Sequence, residues 1–276
     1  MKIAYLDCFS GVSGDMFLGV LLDGGLPLDD LKACFETLPL SGYDVSARRA
    51  ERHHIYGTQV SIRVHQGAHE HRGIKDIQAI IARGALSDFV KTKGIEIFDM
   101  LARVEGEIHG IPPEAVHFHE VGAVDSILDI VGTLYGVEQL GLKHLHVSSL
   151  PLGSGFTTSA HGTIPLPAPA TVALLKGVPI HDAGVGHETV TPTGAALVRG
   201  LAHGFGPMPP MRIQTVGYGV GSKELPDRPN LLRLLIGEAQ TGEETDTVVV
   251  LETNLDDVSP EWLGFLMDRL FDAGAL

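Results

Sequence analysis

Residues 115–132 read AVHFHEVGAVDSILDIVG. His117, His119, Glu120, Asp125 and Asp129 put two imidazoles and three carboxylates within thirteen residues. If the chain is extended through Glu120, His117 and His119 project to one side, because side chains alternate along a strand. Asp125 and Asp129 are four apart in an apolar run, which places them on one face of a helix. Imidazole with carboxylate suits nickel, zinc, copper or iron better than magnesium or calcium. The plainer alternative is a polar helix start, with Asp125 favouring the positive end of the helix.

A second constellation is LDCFSGVSGDM, residues 6–16. A strand, a Gly/Ser loop and a helix start make an anion cradle from backbone N–H groups, with Gly11, Ser13 and Gly14 at its centre. Asp7 ends the strand and Asp15 enters the first helical turn, so either carboxylate could hold a divalent ion. No GKS or GKT follows and no G-x-G-x-x-G is present, which sets aside the P-loop and the Rossmann fingerprint. Thr191 and Thr193 in GVGHETVTPTGAAL, beside His187 and Glu188, offer another anion seat or simply a helix cap. His161 lies in a Gly/Ser/Thr loop, the setting in which functional histidines often occur. His69, Glu70 and His71 read as solvated loop residues, and His53, His54, His144 and His146 have strand settings. No nucleophile elbow stands between a strand and a helix, so serine hydrolysis has no anchor.

The elements that must position these groups follow from pattern. KIAYLDC reads as a buried strand and GVSGDMFLGVLLDGG as a helix closed by Gly24 and Gly25. LDDLKACFETL, IKDIQAIIARG, FVKTKGIEIFDMLARVEGEIHG and VDSILDIVGTLYGVEQLGL have helical spacing. YDVSARRAERHHIYGTQVSIRV alternates as a strand pair, HLHVSS begins as a strand and dissolves into a loop, and TPTGAALVRGLAHGFG reads as a helix. RIQTVGYGVGS and NLLRLLIGEA are late strands. The fold class is α/β, mixed α+β rather than strictly doubly wound. A large domain covers 1–240. The acidic QTGEETD then leads to 246–276, the first strand and helix of a C-terminal α+β, ferredoxin-like domain that looks cut short.

The formal charge is −14, against a nucleic-acid binder that needs a basic face and in favour of a surface that attracts cations. Two cysteines, Cys8 and Cys34, exclude a four-thiolate metal site within one chain. Without a signal-peptide core or an apolar run of about 18 residues, the expectation is a soluble cytoplasmic protein.

YLDCFSGVSGDMFLGVLLDGG, VHFHEVGAVDSILDIVG, SAHGTIPLPAPATVALLKG, TPTGAAL and LETNLDD together resemble the LarC family, in order from residue 5 to residue 257. That resemblance implies a lyase-class nickel insertion into pyridinium-3,5-bisthiocarboxylic acid mononucleotide, forming the nickel-pincer cofactor of lactate racemase. It implies nickel(II), CTP with manganese or magnesium, and a C-terminal portion that binds CTP and mediates homo-oligomerisation. It also implies the racemase as a partner. Chemistry then assigns nickel to His117, His119 and Asp125, a divalent ion to Asp7 and Asp15, and base or supporting roles to Glu120, Asp129 and His161. The phosphate goes to Gly11, Ser13 and Gly14, or to Thr191 and Thr193. A non-catalytic nickel carrier and a metal-dependent nucleotide hydrolase built on Asp7 and Asp15 are the competing classes.

Overall fold

The computed structural model describes residues 1–65, 72–118, 124–159, 162–240, 250 and 252–275. The chain divides into two units, Met1–Gln240 and Thr241–Leu276. The first is a mixed α/β structure. It begins with β1 (Lys2–Asp7), α1 (Gly14–Asp23), α2 (Leu28–Glu36), and the hairpin β2 (Tyr43–Arg52) and β3 (Ile55–Val64). Short β4 (Arg72–Gly73) leads into α3 (Ile74–Arg83) and α4 (Asp88–His109), then a 3₁₀ turn, β5 (His117–Phe118) and α5 (Val124–Gln139). β6 (Leu145–Val147), β7 (Leu150–Leu152), β8 (Gly155–Ser159) and β9 (Gly162–Leu166) precede α6 (Pro169–Leu174) and β10 (Ile180–Asp182). α7 (Pro192–Leu201), β11 (Ala202–Phe205), β12 (Met211–Val220) and β13 (Leu231–Ala239) complete the unit.

Seven strands form the main sheet in the order β11-β6-β1-β13-β12-β3-β2. β1 lies between parallel β6 and antiparallel β13, and Ala4 and Leu6 are fully buried in the core. β12 runs antiparallel to β13 but meets parallel β3 at one pair, Gly219↔Thr58. Asp23, at the end of α1, staples this junction by accepting from the Thr58 hydroxyl at 2.9 Å and the Tyr218 N–H at 2.9 Å. Beyond it the β2–β3 hairpin stands as an arm. Its two-residue turn puts His53 and His54 at φ +48° and +64°, the both-positive geometry that matches strand twist.

The core joins the sheet to the helices through Phe17, Leu18 and Leu21 of α1, Phe35 of α2, Phe98 and Leu101 of α4, and Ile127 and Leu134 of α5. The glycines after α3 and α4 end those helices as expected. Two expectations are corrected. GFTTS, expected in a Gly/Ser/Thr loop, is strand β8 paired with β9, and AHGF leaves the helix at Leu201 to pair in parallel with β6. The second unit shows α8 (Pro260–Asp272), capped by the Ser259 hydroxyl, which accepts from the Glu261 N–H. Most of the strand expected near 247–253 lies outside the described residues. Among the described residues no helix is long and apolar enough to cross a membrane.

Candidate functional site

The loop from β1 to α1 is built to meet another helix. Gly11 takes φ +111°, a region costly for a side chain, and a Cβ there would lie 1.9 Å from the Thr189 carbonyl oxygen. The Val12 N–H donates to Thr189 O at 2.9 Å, and the Thr191 N–H donates back to Val12 O at 3.1 Å. That short bridge ties the start of α1 to the start of α7. Thr191 caps α7 by accepting from the Gly194 N–H at 3.1 Å. The start of α5 arrives from the other side. A Cβ at Gly14 would sit 2.1 Å from Asp129 Oδ2, so only the absence of a side chain lets these helices approach.

The three helix starts open onto a cavity of about 620 Å³. Asp15, Asp125 and Asp129 line it, with Ser13, Gly14, Ser126, Thr191 and Thr193. The β2–β3 arm also lines it, through residues 46–48 and 59–63, with Val60 buried and Ala47 and Ile62 packed against the core. Asp15 Oδ1 accepts from the Ser13 hydroxyl and from the Met16 N–H, the latter at 2.9 Å. Burial pushes the Asp15 carboxyl above its usual range; those two donors pull it back, and the charge of Asp125 raises it again. Asp129 is more extreme. Burial, then the charges of Asp15 and Asp125, hold its carboxyl well above the carboxylate range. Its Oδ1 is buried with no hydrogen-bond partner among the described residues. A buried carboxylate oxygen left unsatisfied is costly, which marks it as a place awaiting a proton or a cation.

Of the residues singled out in the sequence, Ser13, Gly14, Asp15, Asp125, Asp129, Thr191 and Thr193 come together here, and Gly11 shapes the loop behind them. Asp7 does not join them: its Oδ2 accepts from Arg233 Nε at 3.2 Å and Nη2 at 2.5 Å. His117 is exposed on β5, where it pairs with Gly73, and does not line the cavity. His119, Glu120, His161, His69, Glu70 and His71 lie outside the described residues. His187 is half-buried away from the cavity lining. Among the described residues no group of three His, Cys, Asp or Glu side chains is drawn together tightly enough to hold a metal ion. The cavity's acids can meet a cation but leave ligand positions for another molecule to fill.

The sequence showed the arm as a strand pair but not its place beside the cavity. Its signal was the alternation of Ser46 with Arg48, and of Gln59 with Ser61 and Arg63, which puts these polar residues on one face. The register makes the set compact, with Ser46 opposite Ser61 and Arg48 opposite Gln59.

A family model described as nickel insertion protein matches residues 4–276. A putative nickel insertion protein of Syntrophobacter fumaroxidans is 51% identical over 276 residues, covering 100% of this chain and 71% of the relative. One of Citrifermentans bemidjiense is 49% identical over 277 residues, covering 100% of this chain and 72% of the relative. A relative in Desulfitobacterium hafniense, named pyridinium-3,5-bisthiocarboxylic acid mononucleotide nickel insertion protein, is 47% identical over 282 residues, covering 100% of this chain and 70% of its own length. No solved structure matches the chain significantly. The matches run through every cavity-forming element, and on them the chain belongs to the nickel insertion protein family.

Proposed function

We propose that the cavity between the helix starts and the β2–β3 arm is where nickel(II) enters pyridinium-3,5-bisthiocarboxylic acid mononucleotide, in a CTP-dependent, lyase-class reaction that yields the nickel-pincer cofactor of lactate racemase. The observation that carries this reading is the buried, unpartnered Asp129 Oδ1 in a cavity shared with Asp15 and Asp125. Nickel arriving from solution meets the Asp15 and Asp125 carboxylates. Hard oxygen donors hold this ion less firmly than thiolate-type sulfur, so the two thiocarboxylates of the substrate draw it away. The incomplete protein ligand set suits a cargo that must be surrendered. Nickel then replaces the hydrogen on the ring carbon between the thiocarboxylates. The C–H electron pair becomes the C–Ni bond, the metal stays divalent, and the proton passes to Asp129. A carboxylate whose affinity for protons is raised by burial is a better acceptor near neutral pH than an ordinary one.

His117 and His119 are assigned an outer docking point for nickel, and Glu120 and His161 supporting roles, on side-chain chemistry alone. Asp7 is bonded by Arg233, and no step is assigned to a manganese or magnesium ion there. CTP use, homo-oligomerisation and contact with the racemase complete the reading; each relative above is longer than this chain.

The test incubates the chain with the mononucleotide, nickel, CTP and manganese, and follows the nickel-bearing product by mass spectrometry. Wild type forms product, and Asp129→Asn slows formation by about 10²-fold or more, as loss of a general base does. Equal, non-zero rates for the two proteins, or steady CTP turnover without the mononucleotide, would overturn the reading.

A further inference from the structure

We propose that Ser13 is a positioning residue that locks the Asp15 carboxylate to single-oxygen coordination, so that the cavity takes nickel(II) and rejects calcium; this rests on the function proposed above. Ser13 stands at the N-cap of α1, where a serine hydroxyl ordinarily accepts from a backbone N–H of the first turn. Ser87 at α4, Thr191 at α7 and Ser259 at α8 all accept such an N–H. Ser13 does not. Its hydroxyl is turned instead to donate to Asp15 Oδ1. The helix forgoes its cap, and the hydroxyl serves a carboxylate of the cavity lining.

Asp15 Oδ1 also accepts from the Met16 N–H at 2.9 Å. A carboxylate oxygen has about two lone-pair sites to offer. Two donors fill them, and Oδ2 is the oxygen left to meet an ion. The Met16 N–H alone does not achieve this, since one donor leaves a site open on Oδ1. Asp125 is restrained in a similar way, with Oδ1 accepting from the Ser126 N–H at 2.8 Å. At the third carboxylate, Asp129 Oδ2 stands 2.1 Å from where a Cβ on Gly14 would be, and Oδ1 is buried with no partner among the described residues. That unsatisfied oxygen is the independent sign that a ligand belongs here.

The number of oxygens each carboxylate gives decides which ion the wall can hold. Calcium gathers about six to eight oxygens and draws on carboxylates that give two at once. A wall giving one oxygen per carboxylate leaves it short. Nickel(II) accepts tetragonal or square-planar sets, takes nitrogen and sulfur as well as oxygen, and stands high in the affinity order of divalent ions. Single carboxylate oxygens hold it, and substrate sulfur fills the open positions. Without the Ser13 hydroxyl, Asp15 is free to turn both oxygens to an ion, and calcium gains most.

Titration calorimetry of the whole chain with nickel(II) and with calcium tests this. The cavity's share is the binding that Asp15→Asn/Asp125→Asn removes. The wild type is expected to hold nickel there about 100-fold or more tightly than calcium. Ser13→Ala and Ser13→Gly should each cut that ratio about 10-fold or more by gaining calcium affinity, which a damaged fold does not produce. Ser13→Thr keeps the hydroxyl and should keep the ratio. If either hydroxyl-free variant folds and retains the wild-type ratio, or Ser13→Thr loses it as fully as they do, the positioning role is overturned while the functional reading stands. A ratio that falls through lost nickel affinity alone makes Ser13 merely structural and also overturns the role. A wild type that binds no more nickel than Asp15→Asn/Asp125→Asn overturns both the role and the functional reading.

Discussion

Asp129 keeps a carboxylate oxygen away from water and from any partner among the described residues, and that has a thermodynamic signature. Its proton affinity is raised in the folded state by burial and by Asp15 and Asp125, so the folded chain holds this proton more tightly than the unfolded one. The resulting stabilisation is full below the unfolded carboxylate pKa and is lost as pH rises through the folded value. Asp129→Asn should therefore melt with the wild type near pH 4 and above it near pH 8, by about 1–3 kcal/mol. Thermal melts across that range check this; a gap that narrows as pH rises would contradict it. The histidines call for a separate measurement. Nickel titration of His117→Ala/His119→Ala should remove one bound equivalent, while unchanged stoichiometry and affinity would rule out the outer docking point.

Helix α1 reaches its place because β12 offers no side chains where the helix backbone passes. A Cβ at Gly219 would lie 2.0 Å from Met16 O, and one at Gly19 would lie 2.5 Å from Thr58 O. Gly219→Ala must push α1 outward, with a cost of about 1–3 kcal/mol. A lowered denaturant midpoint with reduced mononucleotide binding is the expected outcome; unchanged values for both would deny that this contact sets the cavity wall. Elements with a strong period were legible in the sequence: β1, α1, α4 and α5 follow runs whose apolar spacing or closing glycines declare them. Local pattern failed where pairing overrode composition. Glycine, serine, threonine and proline disguise β8 and β9, whose ladder runs from Gly155↔Leu166 to Ser159↔Gly162. AHGF continues a helical run, yet pairing with β6 claims it. The acids of the site were legible because Asp125 and Asp129 share a helix face. The arm's place in the cavity wall was not, since nothing in its local sequence says which helix starts it will meet.

Over the whole molecule the formal charge is −14, and the cavity at the helix starts carries three carboxylates. The acidic surface raises the local concentration of nickel, and salt screens that attraction. Raising salt from about 0.05 M to 0.5 M should slow nickel association several-fold, measured by stopped flow, with little change once the ion sits in the cavity. The second unit contributes α8, where Trp262 and Phe265 are more than half exposed. The central claim is that the acids at the meeting of the three helix starts deliver nickel to the substrate. The most direct measurement is nickel incorporation into the mononucleotide by wild type, Asp15→Asn/Asp125→Asn and Arg228→Ala, each with CTP and manganese. The first and last proteins should load nickel equally, and the aspartate variant should load at least about 10-fold less. Wild-type loading by the aspartate variant would contradict the account.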